Sequence, residues 1–123
     1  MTVPVYSDDN IFAKILRGEI PKDYFYEDDY SVVFEDIHPQ AKVHLLILPK
    51  GKYTDIQDLL ENATDAERIG FFDAIKIAAE KAGINETGYR LIFNCRKDSN
   101  QDVPHLHAHM IGGEDLGPLQ NRK

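Results

Sequence analysis

Ile11, Phe12, Ile15 and Leu16 recur at helical spacing directly behind Asp8, Asp9 and Asn10, whose side-chain oxygens suit an N-cap. Gly18 and Pro21 stop that pattern, so the spacing predicts one amphipathic helix of about two turns. Tyr24 to Glu27 and Ser31 to Asp36 are short, aromatic and β-branched, and Asp28-Asp29-Tyr30 between them reads as a hairpin turn. Val43 to Leu48 is almost continuously apolar and predicts a strand covered on both faces. Thr64 and Glu67 stand at capping-box spacing and open a longer helix that ends near Ala82, with Gly83 at the C′ position. Its stripe of Phe71, Ile75, Ala78 and Ala82 must face a core or a partner. Tyr89 to Phe93 reads as a strand, 94–101 as a polar loop, and His105 to Ile111 as the last strand. The order predicts an α+β fold: a five-stranded, mainly antiparallel sheet with one short and one long helix.

With 123 residues and no repeat or linker, the chain is read as a single domain over residues 1–123. Its 14 basic and 21 acidic residues leave a formal charge of −7 without any basic run. That balance argues against nucleic acid polymers and anionic membranes, though it leaves a small anionic ligand possible in a pocket of positioned donors. The lone Cys95 cannot form an internal disulfide, and Met1 to Asn10 has neither the basic nor the apolar part of a signal peptide. No stretch approaches a membrane span, and a cytoplasmic protein is expected.

His105, His107 and His109 alternate with Leu106, Ala108 and Met110, which on a strand puts the imidazoles on one face and the apolar residues on the other. Five histidines scattered at random would give this alternation in roughly one chain in 250, so chance is a poor explanation. Exposed histidines on a solvated sheet face are one reading. A metal site is another, since neutral imidazole is a common ligand. An extended strand separates the outer two by about 13 Å, however, so an ion would need two of them together with His44 or His38. In the third reading the middle histidine is a nucleophile: imidazole attacks phosphorus well and leaves it well, and its neighbours orient it and stabilise charge.

His105-Leu106-His107-Ala108-His109-Met110-Ile111 resembles the signature of the histidine triad proteins, three histidines alternating with apolar residues. The resemblance extends through Ile11 to Ile15, Gly18 to Pro21, Tyr26 to Asp29, Asp36 to Ala41 and His44 to Lys50, nearly the whole chain. Gly112-Gly113 is similar to the nucleoside phosphoramidate hydrolase branch, whereas the dinucleoside polyphosphate hydrolases more often have Pro-Arg there. The resemblance implies the family's fold and a homodimer with one nucleotide site per subunit. It implies hydrolysis of purine nucleoside 5′-phosphoramidates without metal or cofactor, with a purine nucleoside monophosphate bound along the way. His107 would attack phosphorus, His109 and His105 would support the phosphoryl oxygens, leaving amine and nucleophile, and His44 would stand beside them. Asp36 would hold the ribose hydroxyls, and Asn94 would lie between ribose and phosphate. Ile11, Phe12, Ile15, Phe34, Ile37 and Leu46 would form the base pocket, with Asp102 and Val103 adjoining the nucleotide.

Each assignment has a plainer alternative. Asp36 before Ile37-His38-Pro39 is also a good turn cap, Asn94 a good turn residue, and the apolar set ordinary core. Asp102 stands where the family often has a hydroxyl residue, and an acid there would repel phosphate or favour cationic leaving amines. Glu114 likewise takes a place where a basic residue is frequent. A dinucleoside polyphosphate hydrolase, a nucleotide-binding interaction module with vestigial activity, and a zinc-dependent function are the competing expectations.

Overall fold

The computed structural model describes residues 4–119, so the first three residues of the acidic N-terminal segment lie outside it. The first helix, α1 (Ile11–Leu16), starts where Asn10 Oδ1 accepts the Ala13 N–H at 2.8 Å. Such a cap contributes about 1 kcal/mol. Phe12, Ala13 and Ile15 are its buried face, whereas Ile11 turns outward, against the expectation that all four apolar residues share one face.

The strands are β1 (Tyr26–Glu27), β2 (Ser31–Glu35), β3 (Val43–Pro49), β4 (Tyr89–Phe93) and β5 (Ala108–Gly112). They form one antiparallel sheet in the order β1-β2-β3-β5-β4. The last strand is shorter than expected: His105 and His107 precede it and only His109 lies in it. Leu106 is the reason, because its N–H donates to the Tyr53 carbonyl at 2.8 Å and not to a neighbouring strand.

Between β3 and β4 run α2 (Ile56–Asn62) and α3 (Asp65–Lys81). The expectation of two helices is thereby corrected to three. Thr64 and Glu67 close the capping box that the sequence predicts for α3. Asp55 caps α2 by accepting the Asp58 N–H at 2.9 Å.

Pairing partners share a face, so the register sorts the side chains. Val33, Leu45, Ile47, Ala108 and Met110 join Phe71, Ala74, Ile75 and Ala78 of α3 in the larger core. The stripe on the long helix is therefore core of its own chain. On the opposite face Val32, Phe34, Leu46 and Leu48 pack with Phe12 and Ile15 of α1 in a smaller cluster. β3 is covered on both sides, as its unbroken apolar run predicts. Among the described residues no helix is long and apolar enough to cross a membrane.

Candidate active site

His44 and His109 lie on the α1 face of the sheet, two residues from Leu46 on β3 and paired with Leu46 across the ladder, respectively. His107 stands one step before β5, its ring 5.1 Å from that of His109 and 4.9 Å from Phe12, which it meets edge to face. Leu106, Ala108 and Met110 point the other way, into the larger core. The facial division expected from the alternation therefore holds, although half of the segment is not strand.

Hydrogen-bond partners assign the tautomers of the four rings. A carbonyl oxygen only accepts, so His107 Nδ1–H donates to the His105 carbonyl at 2.8 Å and the lone pair is on Nε2. The Gln40 N–H donates to His44 Nδ1 at 2.9 Å, which puts the His44 proton on Nε2. That proton faces His109 Nδ1 at 3.0 Å and an Asp36 carboxylate oxygen at 3.4 Å. His109 Nδ1 accepts, leaving His109 with its own proton on Nε2. The site thus offers a nucleophilic nitrogen on His107 and a donor on the adjacent His109.

His105 is different. Its side chain is 0% exposed, Nε2–H donates to the Pro49 carbonyl at 2.9 Å, and Nδ1 accepts from the Tyr6 hydroxyl at 2.7 Å. Both ring nitrogens are occupied, so of the roles the family resemblance implied for His105 and His109 together, support of phosphoryl oxygens and of the leaving amine does not fit this imidazole, and orientation of the nucleophile does. It positions the carbonyl that holds His107. Burial pushes its pKa down to about 4, with the Pro49 carbonyl opposing. His109 is lowered too, first by burial and then by His107 and His44, and burial lowers His44 against the pull of Asp36.

Asp36, His44 and His109 bring three ligand-type atoms within 4.8 Å of one another. Their protons fit an ion poorly. Binding through His44 Nε2 would move its proton to Nδ1, where it would oppose the Gln40 N–H. The geometry favours a hydrogen-bonded relay.

The loop between β4 and the triad is clamped from below. Arg96 Nε donates at 2.9 Å to Asp55, whose side chain is fully buried. Burial raises that carboxyl, but the Asp58 N–H and the Arg96 guanidinium outweigh it and the net shift is downward. Gln101 accepts the Arg96 N–H and donates to the Thr54 and Val103 carbonyls. Arg96 has φ 66° and ψ −159°, a region that favours glycine, so the clamp holds a strained residue in place. Asp102 then projects beside the triad, one carboxylate oxygen 3.8 Å from His107 Nε2. Neither Arg96 nor Tyr6 is among the residues expected from sequence.

The other expected residues divide. Phe12, Ile15, Phe34 and Leu46 form the small cluster, with Val103 packed against it. Ile11 and Ile37 are 49% and 74% exposed and belong to neither core. Asp36 plays the part of a turn cap, accepting the His38 N–H at 2.8 Å on one oxygen while the other faces His44. Asn94 follows β4 one step beyond the Phe93–Ala108 pair, at the end of the ladder that His107 also leaves.

Residues 17–116 match the HIT domain family model. The chain is 42% identical over 117 residues to the purine nucleoside phosphoramidase of Escherichia coli K12, covering 95% of this chain and 98% of that protein. It is 48% identical over 114 residues to an uncharacterized HIT-like protein of Azospirillum brasilense, covering 93% of each. Among solved structures it superposes on a HIT family hydrolase from Clostridium thermocellum with a TM-score of 0.81 and 40% identity, covering 91% of this chain and 96% of that one. A histidine triad protein from Clostridium difficile gives a TM-score of 0.80 at 36% identity, covering 94% of this chain and all of that one.

Proposed function

The chain belongs to the HIT domain family, and from that premise we propose that it hydrolyses the P–N bond of purine nucleoside 5′-phosphoramidates through a nucleotidyl-histidine intermediate on His107. The observation that carries this reading is the tautomer of His107, whose Nδ1–H is tied to the His105 carbonyl so that Nε2 is free to attack. A bond forms from Nε2 to phosphorus and the P–N bond breaks, the departing nitrogen leaving as an amine with a proton drawn from solvent. His109 Nε2–H supports the charge that grows on a phosphoryl oxygen. Water then attacks phosphorus, an O–P bond forms as the Nε2–P bond breaks, the water gives up a proton to solvent, and the nucleoside monophosphate leaves the restored His107. Phe12, Phe34 and Leu46 offer the purine an apolar wall, and the remaining lone pairs of the Asp36 carboxylate offer the ribose an acceptor. The name of the Escherichia coli relative supports the substrate class.

We further propose that two copies associate in the cytoplasm, β4 being an edge strand of the sheet that, among the described residues, has a pairing partner on one side only. Sedimentation should then give about twice the 14.0 kDa of one chain.

The decisive experiment is amine release from a fluorescent adenosine 5′-phosphoramidate with chelator present. Wild type should turn over, and His107→Ala should lose at least about a thousandfold in kcat, as removal of a covalent nucleophile does, while still binding adenosine monophosphate. Unchanged turnover in His107→Ala would refute the intermediate.

A further inference from the structure

Asp102 combines two properties that pull against each other in a phosphate site. Its carboxylate is 79% exposed, yet its main chain is held fast between Gln101, anchored at three points, and Val103, whose N–H donates to Asp102 Oδ1 at 2.9 Å. The loop therefore keeps an anion 3.8 Å from the nitrogen that attacks phosphorus. Arg96, one of the two cations of that loop with Lys97, is committed to Asp55 and does not neutralise it. Asp36 adds a second acid on the ribose side, in a chain of formal charge −7.

We infer that Asp102 reads the charge of the leaving group, so that the site takes nucleotides whose departing amine carries a cationic end and turns away those extended by an anion such as a further phosphate. The assignment rests on the P–N hydrolase reading for its reaction but not for its electrostatics. Phosphorus must come within about 3 to 3.5 Å of Nε2 to react. Whatever is attached to it then lies within a few ångströms of the carboxylate, well inside the screening length of about 8 Å at physiological salt. A single nucleotide phosphate can be met by the His109 Nε2–H. A second one meets the Asp102 carboxylate beside Nε2, whereas an ammonium finds a partner there.

The test compares three adenosine 5′-phosphoramidates whose leaving amines have similar basicity and end in an ammonium, a neutral amide or a carboxylate. For wild type, kcat/KM should favour the ammonium-ended substrate over the carboxylate-ended one by about tenfold at low salt, the size expected of one unit charge at this range in a half-solvated site. High salt should shrink that ratio, and Asp102→Asn should bring it close to one. A ratio that Asp102→Asn leaves unchanged overturns the inference. A second arm measures binding of adenosine mono-, di- and triphosphate by calorimetry. Wild type should bind each more highly charged nucleotide more weakly, and Asp102→Asn should strengthen the di- and triphosphate more than the monophosphate. If no phosphoramidate turns over but the binding arm behaves in this way, the P–N reading fails and charge selection by Asp102 stands. Equal strengthening of all three nucleotides overturns it whatever the turnover.

Discussion

Tyr6 and Pro49 hold the His105 ring at both nitrogens in the interior, so protonating it would both bury a charge and turn the acceptor nitrogen into a second donor facing the Tyr6 hydroxyl. Its folded pKa of about 4 lies below the 6.5 of a free histidine. The unfolded chain therefore binds the extra proton first as pH falls. The neutral ring's contribution is whole above about pH 6.5 and is lost progressively down to about pH 4, a gap worth on the order of 3 kcal/mol. Urea midpoints taken at intervals across that window should fall more steeply for wild type than for His105→Gln. Parallel slopes would place the pH sensitivity elsewhere, in the carboxylates. Little of this could be read from sequence. The triad is legible because its members are neighbours, but Tyr6 is 99 residues from His105, and nothing in its own surroundings marks it.

The loop from Arg96 to Val103 is the element on which the site's precision depends, and its stability balances strain against an ion pair. Removing the guanidinium leaves the buried Asp55 with the Asp58 N–H and the Thr54 hydroxyl but without a countercharge, which destabilises the loop. Arg96→Ala loses the pair and keeps the strained backbone, whereas Arg96→Gly loses the pair and relieves the strain. Arg96→Gly should therefore be the more stable of the two by about 1 kcal/mol or more in denaturant titration; the reverse order would mean that the backbone there is unstrained. Element by element, the sequence is readable wherever the signal is local. Thr64 and Glu67 mark the start of α3 and Gly83 follows its end, while Tyr89 to Phe93 is a strand as expected. α2 escaped, although Asp55 ahead of Ile56 is a cap signal, because the helix is short and only Leu59 of it is buried. The start of β5 escaped because the Tyr53 carbonyl, more than 50 residues earlier, takes the Leu106 N–H.

At the scale of the molecule, the sheet separates two jobs. Phe71 and Met110 are buried on the α3 face, in the larger core, while Phe12 packs against Phe34 and the His107 ring on the α1 face. Phe71→Ala should lower stability by about 3 to 5 kcal/mol while leaving KM for the phosphoramidate within about twofold in the folded fraction. Phe12→Ala should raise KM and lower kcat by more than its smaller loss of stability explains. Equal effects of the two on KM would mean that the faces are coupled. A divided sheet also bears on descent. Substitutions on the α3 side answer only to packing volume, which many combinations of aliphatic residues satisfy. Those on the α1 side, under the proposed function, answer also to the nucleotide. Across a lineage the two faces should therefore accumulate replacements at different tempos, with Ala74, Ile75 and Met110 exchanging among similar residues while Phe12, Phe34 and Leu46 stay nearly still.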